Sequence, residues 1–434
     1  MNIKAIVIMA GIITIITGYS FAADSTLTLK SVIDLAIKQS TSTQLSKNQV
    51  DQKKVSVLQE KDGFLPEASA SLSSGSSGKL NSSDPWSSST SGSLSASYTY
   101  TPSASANYNS AKAQASASEF THKQTVNDVA ADAILAYTKA LYAQKTIAIV
   151  KNNLDYQKSK LSQIEEYRTA GKKSIADVLQ QQTVVAEGEA SLLEAEQTYG
   201  KALLTLFKTA GIDLNSRLLL DTTDLSFLVT ALSSTDTAAA IFDSIPQIQA
   251  QQKAIESSAF SLKSARLAYA PSITGSASTG ISYDGIIGED HDVSDPTGRV
   301  SFSLSYPLFD QFQRKHTIQK QSLTLQSAKL QLTELERTVQ LQFKQYMYDL
   351  EIARKQLSVA ETRLTAAKQS LDATTQRYDA GASTLVEVAL VNNSYLSAVN
   401  SQLSAESAIM TACVNLLQVN GQTYTFFEKL YSTR

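Results

Sequence analysis

The sequence is poor in the residues that most enzymes, metal sites and disulfide-stabilised proteins require. Its 434 residues include one cysteine, Cys413, and three histidines. A lone cysteine excludes an internal disulfide, and we expect Cys413 to be a small core residue on a helix. His122, His291 and His316 have no partners at metal-ligand spacing, and no Walker, dinucleotide-binding or Gly-x-Ser-x-Gly motif occurs. These absences predict that the chain is not an enzyme and has no metal or cofactor site.

Charge is also scarce, and it is balanced. Only 18% of residues are charged, the net charge is −2 at pH 7, and the isoelectric point is about 6.0. No basic face stands out along the chain, whereas nucleic-acid binding needs a concentrated positive surface. The composition therefore excludes a nucleic-acid partner.

Long apolar runs are absent except at the N-terminus. There Lys4 precedes the apolar run Ala5–Ile16, and the small-x-small triplet Ser20–Ala22 follows it. This order is typical of a secretory signal peptide, which we assign to residues 1–22 with cleavage after Ala22. The alternative is an uncleaved anchor helix, but the run is 12 residues where roughly 20 are needed to span a bilayer. An exported chain of this kind that enters a membrane must do so as β-strands.

What the chain does contain is a duplicated short segment. Residues 170–178 read AGKKSIADV and residues 380–388 read AGASTLVEV. Long helical patterns flank each copy, so each copy is predicted to be the turn of an αα-hairpin. Gly171 and Gly381 are expected to adopt backbone conformations that are open mainly to glycine. Two hairpins at equivalent places indicate an internal two-fold repeat.

The elements around the two turns follow the same order in both halves. Helices are predicted from Leu29 to about Lys61 and from about Thr237 to Tyr269. Alternating strand patterns follow in the segments 68–102, 273–283 and 299–306, and residues 73–92 are interpreted as a surface loop, with a disordered Ser-rich linker as the alternative. We place the first repeat at 23–226, the second at 227–421 and a C-terminal tail at 422–434.

Heptad spacing marks the long helices. Between about Gln313 and Tyr378, large residues recur every seven positions, namely Phe343, Leu350, Leu357, Leu364, Leu371 and Tyr378. A second row of mostly small residues lies between them, which is the a/d seam of a coiled coil. At 1.5 Å per residue, a helix of about 65 residues is roughly 95 Å long. A rod of this length has only a narrow seam to bury and needs neighbouring rods.

The predicted strands need partners as well. Four strands of roughly 9–11 residues match the length that crosses a bilayer, but four strands are too few to close a transmembrane barrel. An open edge in lipid leaves unpaired N–H and C=O groups. Three copies would supply twelve strands, continued by a barrel of coiled-coil helices. The alternative is a soluble β-sandwich on a coiled coil, which is disfavoured because soluble sheets seldom carry so much Ser and Ala on both faces.

The duplicated turn and the order of elements resemble the TolC family of outer-membrane efflux and secretion channels. Gly63–Pro66, Ile245–Ile248 and Tyr306–Asp310 are further matching pieces. The resemblance implies a mixed α and β membrane protein that forms a homotrimer. The trimer would have a 12-stranded transmembrane β-barrel, with four strands per protomer, in the outer-membrane lipid of a Gram-negative bacterium. It also implies a long periplasmic α-helical coiled-coil barrel that contacts a periplasmic adaptor protein. The adaptor would link the channel to an inner-membrane pump or ABC exporter of a tripartite efflux or type I secretion system.

The resemblance also assigns roles to residues. Tyr378, Asp177 and Glu387 match positions of the family's periplasmic gate. The chain departs from the family pattern at Ser383 and Leu390, where a basic and an acidic residue stand in the best-known member, so Lys172 or Lys173 would have to supply a gate cation. The tip and adaptor-contact positions implied by the resemblance are Ala170, Gly171, Ser174, Ile175, Ala380, Gly381, Thr384 and Leu385.

Two questions remain open at the level of sequence. Asp177 and Glu387 follow Ser174 and Thr384 at helix starts, so they are equally well explained as helix-capping acids. A trimeric coiled-coil surface protein of the adhesin type is the alternative function, although a stalk needs one-way helices and this chain turns back twice. The transported cargo is not indicated by any motif.

Overall fold

The computed structural model describes residues 26–78, 80, 86–214, 219–221, 244–286 and 292–432. The predicted signal peptide at 1–22 and the predicted repeat boundary at 226/227 lie outside these residues. The helices are α1 Leu29–Gln39, α2 Thr41–Asp62, α3 Ala104–Thr169, α4 Ile175–Ala210, α5 Pro246–Leu267, α6 Gln313–Asp379, α7 Leu385–Val419 and α8 Thr423–Ser432. The strands are β1 Thr26–Leu27, β2 Glu67–Ser77, β3 Ser87–Tyr100, β4 Leu219–Leu220, β5 Ser272–Ile286, β6 Asp292–Val293 and β7 Thr297–Ser305.

The two long helical hairpins are present as predicted. Helix α3 has 66 residues and α6 has 67, so each is roughly 100 Å long. In α6 the residues buried against α7 include Leu350, Ala353 and Ala360, which belong to the predicted a/d rows. The heptad pattern therefore located both the helix and its packing face. None of the helices in the described part of the chain is both long enough and apolar enough to cross a membrane.

The first helix differs from the prediction because it is broken. Thr28 begins α1 with a reciprocal capping box to Ser31. At Ser40 the backbone leaves the helical region, with ψ 127°, and α2 starts at the next residue. A prediction of one helix from Leu29 to about Lys61 was therefore wrong, since a single non-helical residue interrupts the hydrogen-bond ladder. The predicted start of the second-half helix near Thr237 lies outside the described residues, and α5 begins at Pro246, where a proline at the first helical position loses no hydrogen bond.

The helices lie side by side in an order that the contacts define. On the side of the two turns, α3 packs between α4 and α7, and α7 packs against α6, which gives the order α4–α3–α7–α6. On the side of the sheet, α3 packs between α2 and α5, and α5 packs against α6. Each level is thus a row of four helices, with α6 at one end and α2 or α4 at the other.

The sheet is antiparallel in the order β2–β3–β5–β7, with the short β6 paired to the end of β5. Strands β2 and β3 extend into residues 73–77 and 87–92, which were predicted to be a surface loop. Serine has little intrinsic preference for strands. Here, however, the paired serines hydrogen-bond across the ladder, with Oγ–Oγ distances of 2.8 Å for Ser71 with Ser93 and for Ser73 with Ser91.

The register gives the sheet two different faces, because successive residues of a strand alternate between them. One face, which we call the hydroxyl face, carries Ser69, Ser71, Ser73, Ser91, Ser93, Ser95, Ser97, Thr274, Ser276, Ser278, Ser301 and Ser303. The other, the apolar face, carries Ala68, Ala70, Leu72, Leu94, Ala96, Ile273, Ala277, Ile281, Val300, Phe302 and Leu304. The register separates Ser from Ala near the helices, where Ala68, Ala70 and Ala96 all lie on the apolar face. Further along β2 and β3 the same face also carries hydroxyl side chains, namely Ser74, Ser76, Ser88 and Thr90.

The largest core lies between the sheet and the turns, where α1, α8 and the ends of α4 and α7 surround the middle of α3. The hydroxyl of the fully buried Tyr137 donates to the carbonyl oxygens of Leu27 and Asp221, at 3.1 and 3.0 Å, and so anchors the parallel β1–β4 pair. Cys413 is buried in this core, as predicted, and burial raises the pKa of its thiol to about 11. The predicted tail forms α8, whose Phe427 is buried in the same core.

Candidate functional site at the paired helical turns

The turns α3–α4 and α6–α7 share one backbone geometry. Gly171 and Gly381 have φ values of 72° and 76°, in the left-handed region that favours glycine. In both turns the residue after the glycine donates its N–H to the carbonyl five residues earlier, at 2.8 Å. This is the Schellman arrangement that satisfies the last carbonyls of a helix. The sequence prediction for the two glycines is confirmed.

The first turn starts its second helix with a capping box. The Asp177 N–H donates to Ser174 Oγ at 3.2 Å, while the N–H and hydroxyl of Ser174 both donate to Asp177 Oδ2 at 2.9 Å. These donors stabilise the charged carboxylate, so they hold the pKa of Asp177 below its ordinary value.

The second turn repeats this arrangement with a longer acid. The Glu387 N–H donates to Thr384 Oγ1 at 3.2 Å, and the Thr384 N–H donates to Glu387 Oε2 at 3.4 Å. The hydroxyl of Ser383 also donates to Glu387 Oε2. The Ser383 hydroxyl is the largest cause of a Glu387 pKa below the ordinary value, and the Thr384 N–H adds to it. Ser383 thus takes part directly in the cap of the second turn.

In the caps, each of the two acids uses only one of its two carboxylate oxygens. In each turn both hydrogen bonds to the carboxylate end on one oxygen, Oδ2 of Asp177 or Oε2 of Glu387. Because their pKa values are lowered, both groups are negatively charged at neutral pH. Asp177 and Glu387 therefore both cap helices, and the second oxygen of each carboxylate can still bind another group.

Tyr378 connects the two turns. It lies on the last turn of α6, is buried, and has two ammonium groups near its ring. Lys173 Nζ from the first turn lies 4.5 Å from the ring centroid, and Lys160 Nζ from α3 lies 5.7 Å from it, within the range of cation–π attraction. Lys160 also forms a 3.2 Å ion pair with Asp379. The Tyr378 hydroxyl makes no hydrogen bond to any described residue.

A small apolar cluster lies beneath these cations. It contains Ile164 and Val178 from the first hairpin and Tyr378, Leu385 and Val388 from the second. All five side chains are buried, so water is excluded between the hairpins at this level. The cluster and the flanking lysines together hold the two turns against each other within one chain.

Two pairs of amide side chains add polar links above the cluster. Gln181 Nε2 donates to the carbonyl and the side-chain oxygen of Gln157, at 3.1 and 2.9 Å, and both residues are buried. Asn392 Nδ2 donates to Asn153 Oδ1 at 3.0 Å. Since Asn153 and Gln157 are one helical turn apart on α3, this helix is linked to both α4 and α7.

The predicted tip residues divide into two groups. Ala170, Gly171, Ser174, Ala380, Gly381 and Thr384 are all exposed at the turns. The equivalent positions Ile175 and Leu385 differ, because Ile175 is 51% exposed while Leu385 is 7% exposed in the cluster. The structure brings Tyr378 and Leu385 together, but it keeps Asp177 and Glu387 each within its own turn.

Sequence reasoning missed part of this site. It named Lys173 only as a source of charge for a gate ion pair, whereas its ammonium lies over the Tyr378 ring. Lys160 and Asp379 were not identified, since their contact joins positions 219 residues apart and no local pattern marks it. The signal that was available is the Lys-Lys pair at 172–173, which has no counterpart in the second turn.

A profile of the family described as "Outer membrane efflux protein" matches residues 32–212 and 241–422, more than four fifths of the chain. The chain belongs to this family. It is an outer-membrane efflux channel of the Gram-negative cell envelope, with a helical part in the periplasm, and the family is one of passive channels rather than of enzymes. The predicted TolC-like membership is confirmed.

Solved structures of outer-membrane channels share the fold. The Campylobacter jejuni channel CmeC has 16% identity and a TM-score of 0.77, covering 92% of this chain and 88% of its own. VceC from Vibrio cholerae has 16% identity and a TM-score of 0.73, covering 91% and 96%. The open state of MtrE from Neisseria gonorrhoeae has 17% identity and a TM-score of 0.73, covering 91% and 88%. No curated protein sequence matches the chain.

Proposed function

We propose that three copies of the chain form the exit duct of a tripartite efflux or type I secretion system. In this proposal a 12-stranded barrel crosses the outer membrane and a tube of helices extends into the periplasm. The duct is passive, has no catalytic activity, and conducts substrates from an inner-membrane pump or ABC exporter through a periplasmic adaptor. The observation that carries the proposal is the open, two-faced sheet.

The sheet has two unpaired edges. Within the described residues β2 pairs only with β3, and β7 pairs only with β5. The strands have 9 to 15 residues, which is enough to span a bilayer when tilted. In lipid, each unpaired backbone group would cost several kcal/mol. Joining β7 of one copy to β2 of the next removes both edges.

The two faces fit the two sides of a barrel wall. The apolar face matches acyl chains, and the hydroxyl face matches a water-filled pore. Charged residues on the hydroxyl face of the described strands are few, namely Glu67, Asp284 and Arg299. A wall of this composition offers weak hydrogen bonds and little charge, which suits passage of varied polar cargo.

The number three follows from the size of the pore. Two copies would give eight strands, and the interior of such a barrel is filled by its own side chains. Three copies give twelve strands and leave a lumen. The same closure joins the free ends of the helix row, α6 and α4, so that one operation completes both the barrel and the tube. The duplicated order of helices and strands, with a repeat boundary near 226/227, is part of this proposal.

The turns form the periplasmic tip, where we place the gate at Asp177, Tyr378 and Glu387. The Tyr378 cluster holds the two hairpins of one copy together, and three Glu387 carboxylates form a ring that binds cations and disfavours anions. Glu387→Gln should therefore weaken block by multivalent cations in planar-bilayer recordings. Glu361→Gln removes an acid that is also exposed, on α6 away from the turn, and serves as the matched control. Unchanged block in Glu387→Gln would remove this residue from the gate.

The exposed positions of both turns, including Ile175, are proposed to contact the adaptor. Ile175→Glu places a charge on an exposed side chain and should abolish co-purification with the adaptor without unfolding the tip. Leu58→Glu on α2 alters a side chain of similar exposure (53%, against 51% for Ile175) at the sheet end and should leave co-purification intact. Equal adaptor recovery from both variants would place the contact elsewhere.

Reconstitution of the purified protein tests the duct itself. Stepwise conductance in planar bilayers is the expected result, and its loss on heating to monomers is the control. A preparation that stays in solution without detergent and gives no conductance would contradict the proposal. Release into the medium would instead favour the adhesin-type stalk, although two antiparallel hairpins do not suit a one-way stalk.

A further inference from the structure

The loop between β7 and α6 exposes three large apolar side chains. Leu308 is 89% exposed, Phe309 73% and Phe312 59%. The rings of Phe309 and Phe312 pack edge to face with their centroids 5.6 Å apart, so they form one surface. We call Leu308, Phe309 and Phe312 the apolar loop patch. A contiguous exposed patch of this kind marks an interaction surface, because its members gain free energy when another apolar surface covers them.

The backbone holds the patch in an unusual conformation. Gln311 and Phe312 have φ values of 55° and 64°, and they are the two non-glycine residues of the described chain with positive φ, which is unfavourable for a residue with a Cβ. Arg314 braces the loop. Its side chain donates to Asp310 Oδ2 at 2.6 Å and to the carbonyl oxygen of Ala268, just past the end of α5, at 3.3 Å. The patch is therefore presented by a loop that is tied to both helices.

The patch continues the apolar face of the sheet. On that face β7 carries Val300, Phe302 and Leu304, and Tyr306 follows them in the sequence. All four side chains are more than half exposed. The apolar surface thus extends past the end of the strand toward the helices. Because the helices lie in the periplasm, this end of the sheet is at the periplasmic leaflet of the outer membrane.

Cations lie at the same level as the patch. Lys315 Nζ is 5.9 Å from the centroid of the Phe312 ring, and Lys315 is two residues after the start of α6. Lys263 and Arg266 are exposed in the last turns of α5, roughly 6 and 2 Å from its end. Apolar side chains with ammonium and guanidinium groups beside them are typical of a surface at the boundary between acyl chains and headgroups.

Acids are nearly absent from this end of α5 and α6. Segments 257–271 and 306–333 contain a single acid, Asp310, and it is already paired with Arg314 at 2.6 Å. The remaining cations are therefore not neutralised by the segments that carry them. Charge complementarity favours an anionic partner for this surface.

The corresponding junction of the first half lacks both features. Only residues 101–103 separate β3 from α3, whereas residues 306–312 separate β7 from α6. Residues 101–111 contain no charged residue, no leucine and no phenylalanine. Both junctions follow a strand of the same sheet, so the patch and its cations are not a general requirement of entering a membrane. They are a property of one side of each copy.

We propose that the apolar loop patch, with Lys263, Arg266 and Lys315, binds anionic phospholipid in the periplasmic leaflet. The patch inserts among the acyl chains, and the cations hold the phosphate of the headgroup. A zwitterionic phospholipid offers the same acyl chains but no net charge, so the surface selects the anionic lipid. The inference rests on the proposed duct, because a sheet that spans the membrane brings the loop to this leaflet.

Lipid retention tests the role of charge. The full-length mature protein is reconstituted in equal amounts of phosphatidylglycerol and phosphatidylethanolamine, and the lipids that stay bound after brief detergent extraction are counted by native mass spectrometry. The wild type should retain mainly phosphatidylglycerol. Lys315→Gln should lower this enrichment about fivefold at low salt, and the combination with Lys263→Gln and Arg266→Gln should abolish it.

Lys329→Gln is the matched control. Lys329 is also exposed on α6 and differs from Lys315 by about 40° around the helix, but it lies roughly 24 Å from the start of α6. Its replacement should leave the enrichment unchanged. A wild type without enrichment, or an equal loss in Lys315→Gln and Lys329→Gln, would overturn the proposal.

Fluorescence quenching tests the insertion of the patch. Trp86→Phe removes the single tryptophan of the chain, and Phe309→Trp in this background should be quenched by phosphatidylglycerol with brominated acyl chains. Tyr348→Trp is the control, since Tyr348 is 64% exposed on α6 but roughly 50 Å from its start, and it should not be quenched. Quenching of Phe309→Trp no stronger than in the control would place the loop in water or under another protein, and would overturn the proposal.

The outcomes also separate this inference from the proposed duct. A protein that conducts in bilayers but shows neither enrichment nor quenching refutes the lipid site and leaves the duct standing. A protein that does not enter vesicles and gives no conductance refutes the duct and the lipid site together.

Discussion

The contrast between Tyr378→Ala and Tyr378→Phe tests how the two hairpins are held together at the tip. Replacing a buried aromatic residue by alanine costs about 3–5 kcal/mol, and the ring of Tyr378 is buried between the hairpins with Lys173 and Lys160 near it. The cation–π contacts contribute about 0.5–1 kcal/mol each. A loss of about 3 kcal/mol from the closed arrangement raises the open-to-closed ratio roughly 150-fold.

Tyr378→Phe keeps the ring, the cluster and both cation contacts, and it removes a hydroxyl that makes no hydrogen bond to a described residue. Its effect should be below about 0.5 kcal/mol, because no partner is left unsatisfied. The assay is open probability in single-channel recordings, together with hydrogen exchange of the amides around both turns. The alanine variant should be open far more often and exchange faster, while the phenylalanine variant should match the wild type. If Tyr378→Phe opens as often as Tyr378→Ala, the hydroxyl rather than the ring holds the two hairpins together, and the reasoning fails.

Gly381→Ala places a Cβ at φ 76° and should lower the stability of the second turn by about 1–2 kcal/mol, which would be measured as faster hydrogen exchange at that turn. The control is Gly75→Ala, where a Cβ meets no atom within 4 Å and hydrogen exchange should not become faster. Unchanged hydrogen exchange at the second turn in Gly381→Ala would contradict the strain argument. Gln181→Leu leaves the buried side-chain oxygen of Gln157 without its donor and should lower the melting temperature through a loss of about 1–3 kcal/mol; an unchanged melting temperature would show that the pair is not needed. In a Cys413→Ser background, Ser93→Cys on the hydroxyl face should react with a charged thiol reagent, while Leu94→Cys on the apolar face should be protected by the membrane; the reverse pattern would invert the assignment of the faces.

Acid should weaken both turns in a predictable direction. The pKa values of Asp177 and Glu387 are lowered by their capping donors, so the folded state binds fewer protons than the unfolded one. Their stabilisation is present above the unfolded pKa values, near pH 4, and is lost as pH falls through the lower folded values.

The parts of the fold that were predictable from sequence are those set by local periodicity. The seven-residue spacing of Leu350, Leu357 and Leu364 is a property of one helix, and it located α6 and its buried side. The glycines of the turns were likewise predictable, since a helix that reverses direction at Gly171 or Gly381 needs a left-handed residue.

Features that depend on distant contacts could not be read in this way. The sequence of residues 73–92 looks like a linker because serine alone does not favour a strand. Only the pairing of β2 with β3 shows that hydroxyls of residues 73–77 meet those of residues 87–91. Lys160 is one lysine among many until α6 brings Tyr378 and Asp379 beside it. The break at Ser40 involves a single residue, and a hydrophobic pattern averaged over several helical turns does not detect it.

The central claim is that three copies of the chain are needed to close the barrel and the helical tube. Native mass spectrometry of the protein extracted from the outer membrane counts the copies directly. The account predicts a single assembly of three times the mature chain mass, retained until detergent and salt conditions separate it. A stable single copy, or an assembly of two or four, would contradict it.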